Sequence, residues 1–452
     1  MDKLAYLREA KLDDIAFDDI TSDDKNNWLD QSDSDFDTLI PVADRQTKLA
    51  KTAGEERAVF GLYSMGVITA RDEWVYDFGG DTLGRKIRSF INLYEESRAE
   101  HGGKEVDNDT LGTTIKWTRD LKRQLHLDRP NVFDRASIRQ TLFRPFIGKS
   151  LYFNQNLNEM QYQLPEVFPT GADNENKAIC FCVNGKDFYV LAAEKVFDYH
   201  FTGDTQCLPL YRYTSEGKRV SNITEWGLRQ FREHYSDDSI TAENIFAYTY
   251  AVLHDPAYRE KYALDLLREF PRLPMYRDFP AWVRMGRELL ELHVGFESAE
   301  PYPLERVEQA GQAGKAVLRA DKDRGAIVLD GKTTLTGVPP EAWEYRLGSR
   351  SALEWVLDQY KERKPKDPTI AEKFNTYRFA DHKERVIDLL RRVCAVSVRT
   401  VEIVGELDMW TDLDPDEGLE FRREFVEEME KRMSSDEPTI PAEEVYRRLG
   451  LE

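Results

Sequence analysis

Cysteine is scarce in this chain. Four in 452 residues are too few to staple a fold of this size, which excludes a disulfide framework and fits a reducing cytoplasm. No stretch approaches the roughly 18 consecutive apolar residues of a helical membrane span. The opening MDKLAYLREAKLDD lacks the apolar centre of a signal peptide, so a cytoplasmic protein is expected. Positive charge is also in deficit: 63 Lys and Arg stand against 83 Asp and Glu, a formal net charge of −20. Several chemical signatures are missing. Gly311-Gln312-Ala313-Gly314-Lys315-Ala316 lacks the first glycine of a phosphate loop at the required spacing and the Ser or Thr after the lysine, and reads as a turn. There is no G-x-S-x-G and no F-x-G-x-G turn, and no D…E-x-K run stands out as a metal-nuclease core.

What is present belongs to a folded protein. Hydrophobic residues make up 41% and aromatics 12% of a chain long enough for about three domains. The acidity sits at the two ends. Residues 1–45 have a net charge of −8 and residues 401–452 one of −11, leaving −1 for everything between. Inside that middle, residues 110–150 hold 9 Lys/Arg against 3 Asp, a basic island. On charge alone, this layout fits a nucleic-acid surface and an ordinary solvated face equally well.

The chain divides into four expected parts. Residues 1–58 hold a short amphipathic helix (Leu4, Leu7, Leu12) and an acidic, turn-rich stretch whose large apolar anchors are Trp28, Phe36, Leu39 and Ile40. Such a piece packs against a neighbour rather than building its own core. Residues 59–240 are β-rich, with a tight loop at Thr69-Ala70-Arg71-Asp72, a helix over 82–100, and a hairpin over 176–192 turning at Asn184-Gly185. Residues 241–404 are mainly helical, with helix over 224–235 just before them, helices over 242–294 interrupted by prolines, a hairpin at Asp330-Gly331, and further helices over 350–363 and 381–396. Residues 405–452 form an acidic tail with a helix over 417–433. The expected fold class is α+β, with a β-containing front half bearing hairpins and a predominantly helical back half.

Two sites invite chemistry and are better read as structure. Asp255-Pro256-Ala257-Tyr258 differs by one residue from the (N/D/S)-P-P-(Y/F/W) loop with which amino-methyltransferases grip a flipped base. Ala257 removes the stiff turn. Asp255 suits an N-cap, Pro256 the first helical position, and Tyr258, Tyr262, Leu266 and Phe270 recur at i+4, so 255–269 reads as helix. Cys180-x-Cys182 with His200 and Cys207 lacks the C-x-x-C knuckle of structural zinc sites; on a strand the two cysteines are small core residues. His293 is expected buried on a helix over 281–294, and Asp237-Asp238 and Asp23-Asp24 solvated in polar turns.

Six segments, in order, resemble the C-terminal specificity region of Type ISP restriction–modification enzymes. They are GVITARDEWVYDF (66–78), IKWTRDLKRQL (115–125), FRPFIGKSLYFNQNL (143–157), the stretch 248–276, GVPPEAWEYRLGSRSALEWVLDQY (337–360) and RRVCAVSVRTVEIV (391–404). The resemblance covers roughly 1–404 and implies a DNA target-recognition module in phage defence, with no catalytic site of its own. Residues 1–58 would be a remnant of the preceding adenine methyltransferase domain. The implied partners are duplex DNA and methyltransferase and helicase–nuclease domains or subunits. S-adenosylmethionine, ATP and Mg would belong to that partner or parent, not to this chain. The chain departs from the family in lacking the nuclease, ATPase and methyltransferase motifs, in carrying Ile147-Gly148 where a charge is common, and in its tail. Two other readings stay open: an atypical or fragmentary adenine methyltransferase using 255–258, and a non-catalytic interaction subunit.

The family supplies no residue code for base reading, so candidate DNA contacts follow from chemistry. Lys116, Arg119, Lys122 and Arg123 flank Trp117 or follow it at helical spacing. Arg135, Arg139 and Arg144 continue the basic run, and Arg71 sits in the tight loop. Arginine serves both guanine edges and phosphates, lysine mainly phosphates. Lys149, Tyr152, Asn154, Gln155 and Asn156 follow, with amides able to pair with adenine edges. For Arg144, a buried stem paired with a carboxylate is the competing expectation.

Overall fold

The computed structural model describes residues 22, 35–50, 53–171, 175–183, 187–310 and 314–410. The expected helices at Leu4–Leu12 and 417–433, Trp28, the Asn184-Gly185 turn, Asp23-Asp24 and the first half of the Gly311–Ala316 turn fall outside those residues.

The described chain is α+β, built from small antiparallel sheets and helices. A four-stranded sheet has the order Ser64–Met65, Thr205–Pro209, Ala178–Cys182, Val190–Ala193. Every residue of Ala178–Cys182 is buried, as a strand covered on both faces must be. A three-stranded sheet sets Ile147–Tyr152 between Tyr76–Asp77 and Ile138–Arg144. Its hairpin turns at Pro145-Phe146, where Phe146 adopts a φ of 59°. That strained backbone is repaid by a ring packed edge-on against Phe296 at 5.3 Å.

The back half contains more strand than expected. The hairpin Ala326–Asp330 with Thr333–Thr336 is there, but Glu305–Glu308 and Ala316–Asp321 flank it to complete a four-stranded sheet. Glu305–Glu308 is exposed throughout, so no apolar alternation announced it.

Helix ends follow their caps. Gly80–His101 spans the expected helix and stops at Gly102; Glu225–Tyr235 and Ala242–Val252 start on Thr224 and Thr241. Asp255 does cap a helix, accepting from the Ala257 and Tyr258 N–H groups. The continuous helix expected over 255–269 is instead two, Pro256–Lys261 and Ala263–Leu266, broken at Tyr262. The Tyr262 hydroxyl donates to Asp35 at 2.8 Å and its ring packs on Phe36, a tertiary demand that overrides the i+4 pattern. The same contacts, with pairing of Ile40–Pro41 to Arg272–Leu273, dock the front segment onto a neighbour.

Phe279–Val294 lies against Ala242–Val252 so closely that a Cβ on Gly286 would stand 1.9 Å from the Ala247 carbonyl oxygen. His293, 2% exposed, joins three helices: Tyr250 Oη lies 2.6 Å from its Nδ1 and Thr400 Oγ1 2.9 Å from its Nε2. Burial pushes its pKa down to about 3, so it is a neutral strut. The last helix among the described residues, Lys383–Trp410, extends well past the expected 396. One hydrophobic cluster runs from Leu62 to Val396. No helix among the described residues is long and apolar enough to cross a membrane.

Candidate nucleic-acid interface

Three segments distant in sequence are hydrogen-bonded to one another. Arg119–His126 is a helix capped by Thr118, with Leu121, Gln124 and Leu125 inward. Arg71, 3% exposed, reaches the Thr118 hydroxyl and, at 3.5 Å, the Leu157 carbonyl. Gln124 Nε2 donates to the Asn156 carbonyl at 2.9 Å. Asn154 shapes its own loop by accepting from the Asn156 N–H. Lys116, Arg119, Arg123 and Gln155 are left exposed on this frame, with Lys122, Asn154 and Asn156 half-buried beside them. Arg119 leans on Asp120 at 3.2 Å yet its side chain stays 81% exposed. The helical spacing of Arg119, Lys122 and Arg123 therefore holds.

Arg71 itself is a fastener. The Ala70 φ of 55° and a Thr69 hydroxyl bond to Asp72 shape the loop that turns it inward. Burial lowers its pKa to about 10, and the Glu159 and Asp120 carboxylates limit the fall.

The other candidates lie elsewhere. Arg135 is exposed and paired with Asp81 at 2.6 Å. Arg139 spends its guanidinium on the Phe168 and Pro169 carbonyls, at 2.7 and 3.2 Å. Tyr152 is fully buried, its hydroxyl accepting from the Asp134 N–H and its ring stacked on Phe133. Arg144 meets Asp198 at 2.6 Å, with Asp198 2% exposed and its carboxyl held above the ordinary range by burial. The carboxylate-paired alternative for Arg144 is thus the geometry observed. Lys149 sits with its ammonium 3.9 Å from the Phe143 ring centre and 4.8 Å from that of Phe78. Burial first, then the charges of Arg144 and Lys86, bring it down to about 7.

Two clefts flank the Asp72–Val75 helix. One, of about 860 Å³, is lined by Arg71, Lys116, Trp117 and Tyr199; the other, of about 780 Å³, by Arg144, Lys149 and Phe78. Asp72, Glu73 and Lys366 line both. Lys366, with Lys361, Arg363 and Lys364, belongs to an exposed run that the sequence reading missed, because Asp358, Glu362 and Asp367 dilute its local charge.

The sites read as structural behave so. Cys180 faces Cys207 across the sheet, and all four cysteines are buried and free. Burial raises the Cys207 thiol to about 12. Among the described residues no group of three or more His, Cys, Asp or Glu is placed to hold a metal ion. Both Asp255 oxygens are engaged by backbone N–H groups, one also accepting from the Tyr276 hydroxyl, and Tyr258 is buried with its hydroxyl on the Arg272 carbonyl. That geometry leaves no open face for a base.

The family model of the Type ISP C-terminal specificity domain matches residues 58–389. No curated protein matches the chain. Among solved structures it is similar to the protein of a DrdV–DNA complex determined by cryo-electron microscopy, at 49% identity and a TM-score of 0.84 over 89% of this chain and 42% of that one. It is also similar to a nuclease-deletion mutant of the Type ISP restriction–modification enzyme LlaGI in complex with a DNA substrate mimic, at 27% identity and a TM-score of 0.72, covering 90% of this chain and 32% of that one. The ATP-dependent Type ISP enzyme LlaBIII bound to DNA shares the fold, at 24% identity and a TM-score of 0.73, over 87% and 25% of the two chains. This chain spans less than half the length of each. Matched over more than half of its own length, it belongs to the Type ISP C-terminal specificity domain family.

Proposed function

We propose that the chain recognises duplex DNA, reading a short asymmetric site as the specificity module of a Type ISP-like restriction–modification system in the cytoplasm. The observation that carries this reading is the hydrogen-bonded frame joining 69–72, 116–126 and 154–158, which leaves Lys116, Arg119, Arg123 and Gln155 exposed. Phosphate contacts by Lys116, Arg119 and Arg123 set register, and polar side chains at 154–156 reach base edges. The DNA in the complexes of DrdV and LlaGI supports the same reading. Methylation, ATP-driven translocation and cleavage, with S-adenosylmethionine, ATP and Mg, belong to other domains or subunits, and residues 1–58 are read as the end of the preceding methyltransferase domain.

Equilibrium binding of the chain to a random duplex pool across a salt series, followed by sequencing of the retained DNA, tests this. The expected result is a steep salt slope and an enriched asymmetric motif. Absence of binding at low salt rejects autonomous recognition by this chain.

A further inference from the structure

The loop joining the helix Ala352–Gln359 to the short helix Pro368–Lys373 is unusually cationic. Lys361, Arg363, Lys364 and Lys366 are all exposed. Lys361 and Arg363 share one carboxylate, Asp358, with Arg350, at 4.0, 2.7 and 3.1 Å. Three cations around one anion leave an excess of positive charge that the fold does not neutralise. Lys364 and Lys366 have no ion-pair partner among the described residues. Of the loop's two acids, Asp367 caps the helix that follows and Glu362, itself exposed, accepts from the Phe379 N–H at 2.9 Å.

The backbone of this loop is anchored while its cations are not. The Glu73 carboxylate accepts from the Lys366 and Asp367 N–H groups at 2.9 and 2.8 Å, and Trp74 Nε1 donates to Asp367 at 2.7 Å. Thr369 Oγ1 donates to the Thr114 carbonyl at 2.7 Å. These bonds hold the loop against the turn that follows Arg71 and the segment that leads into Lys116. Lys116 and Lys366 line the same cleft. A fixed backbone with outward cations loses little order when it meets an extended polyanion.

We propose that Lys361–Lys366 is a second phosphate-binding arm of the DNA interface, supplied by the back half of the chain. The proposal rests on the DNA-recognition reading above and adds a strand-gripping element to it. Lysine on phosphate fixes position without reading sequence, so the arm governs affinity and register and leaves base choice unchanged.

The test compares the full chain with Lys364→Ala/Lys366→Ala and with Lys364→Glu/Lys366→Glu, using Lys218→Ala as an exposed control. Each is titrated with duplex DNA across a salt series and passed through the same site selection. The alanine pair should lower the slope of log K against log salt by about 2, at roughly 0.9 per phosphate contact, with affinity for selected and random duplexes falling by the same factor. The glutamate pair should fall further, while urea midpoints stay at the wild-type value. A slope within about half a unit of wild type overturns the arm, and a changed selected motif overturns its sequence-neutral role. If the wild-type chain does not bind DNA, the parent reading fails and the arm with it.

Discussion

Replacing Arg144 by methionine should cost the folded chain about 3–5 kcal/mol at pH 7.5, the range for stripping one partner from a buried ion pair. The surroundings of Asp198 account for the size. Its carboxylate receives Arg144 at 2.6 Å and the His200 N–H at 2.8 Å, and little else opposes its burial. Burial raises the Asp198 pKa, Arg144 pulls it back, and Asp72 pushes it up again. A carboxyl with a raised folded pKa favours folding at low pH, and that contribution is lost as pH climbs from about 3.8 through the folded value. Without Arg144 the folded pKa rises further and the loss extends towards neutrality. The variant's deficit should therefore be small near pH 4 and full at pH 7.5. Asp198→Asn should cost less, about 1–2 kcal/mol, because Arg144 retains the Phe143 carbonyl and some solvent. Urea unfolding followed by tryptophan fluorescence, on both single variants and the double at each pH, measures the coupling directly. It should reach at least about 2 kcal/mol at pH 7.5. A methionine variant within about 1 kcal/mol of wild type at pH 7.5, or negligible coupling, would refute the structural role and make Arg144 available to DNA.

Lys149, whose pKa is brought down to about 7, destabilises the fold progressively as pH falls from the ordinary lysine value of 10.5 through 7, because over that window the unfolded chain binds a proton that the folded lysine gives up. Lys149→Met should thus stabilise by ~1–2 kcal/mol at pH 6 and hardly at all at pH 10; equal shifts in melting temperature at both would contradict this. Gly286→Ala, which drives a methyl into the Ala247 carbonyl, should cost about 3 kcal/mol and lower the urea midpoint, whereas a neutral result would mean the two helices part easily. Asp255→Ala removes a cap and strands the buried Tyr276 hydroxyl, so a loss of about 2–3 kcal/mol is expected in urea with DNA affinity of the folded fraction unchanged. A selective loss of DNA affinity would instead return this loop to function.

Local signals were the legible part of the chain. The Asp255 cap, the hairpin at Asp330-Gly331 and the helix at Arg119 announce themselves within a few residues, because caps, turns and apolar spacing are short-range chemistry. What stayed hidden depends on partners far away in sequence. Tyr262 breaks a helix for Asp35, 227 residues distant, and Arg144 is taken inward by Asp198, 54 residues on. The arginines of the basic island at 110–150 split between exposed positions such as Arg119 and Arg123 and structural ties such as Arg139 and Arg144. The cations at 361–366 escaped notice because Asp358, Glu362 and Asp367 offset them in sequence, whereas the tie of Asp367 to Trp74 exists only in the fold.

The bond from Trp74 to Asp367 spans 293 positions. Asp367 is therefore made 293 residues after Trp74, and the helix that follows the Arg71 turn gains this anchor only once much of the back half exists. Partial products ending short of Asp367 would carry every basic residue of the 110–150 island without the clasp beside the Arg71 turn.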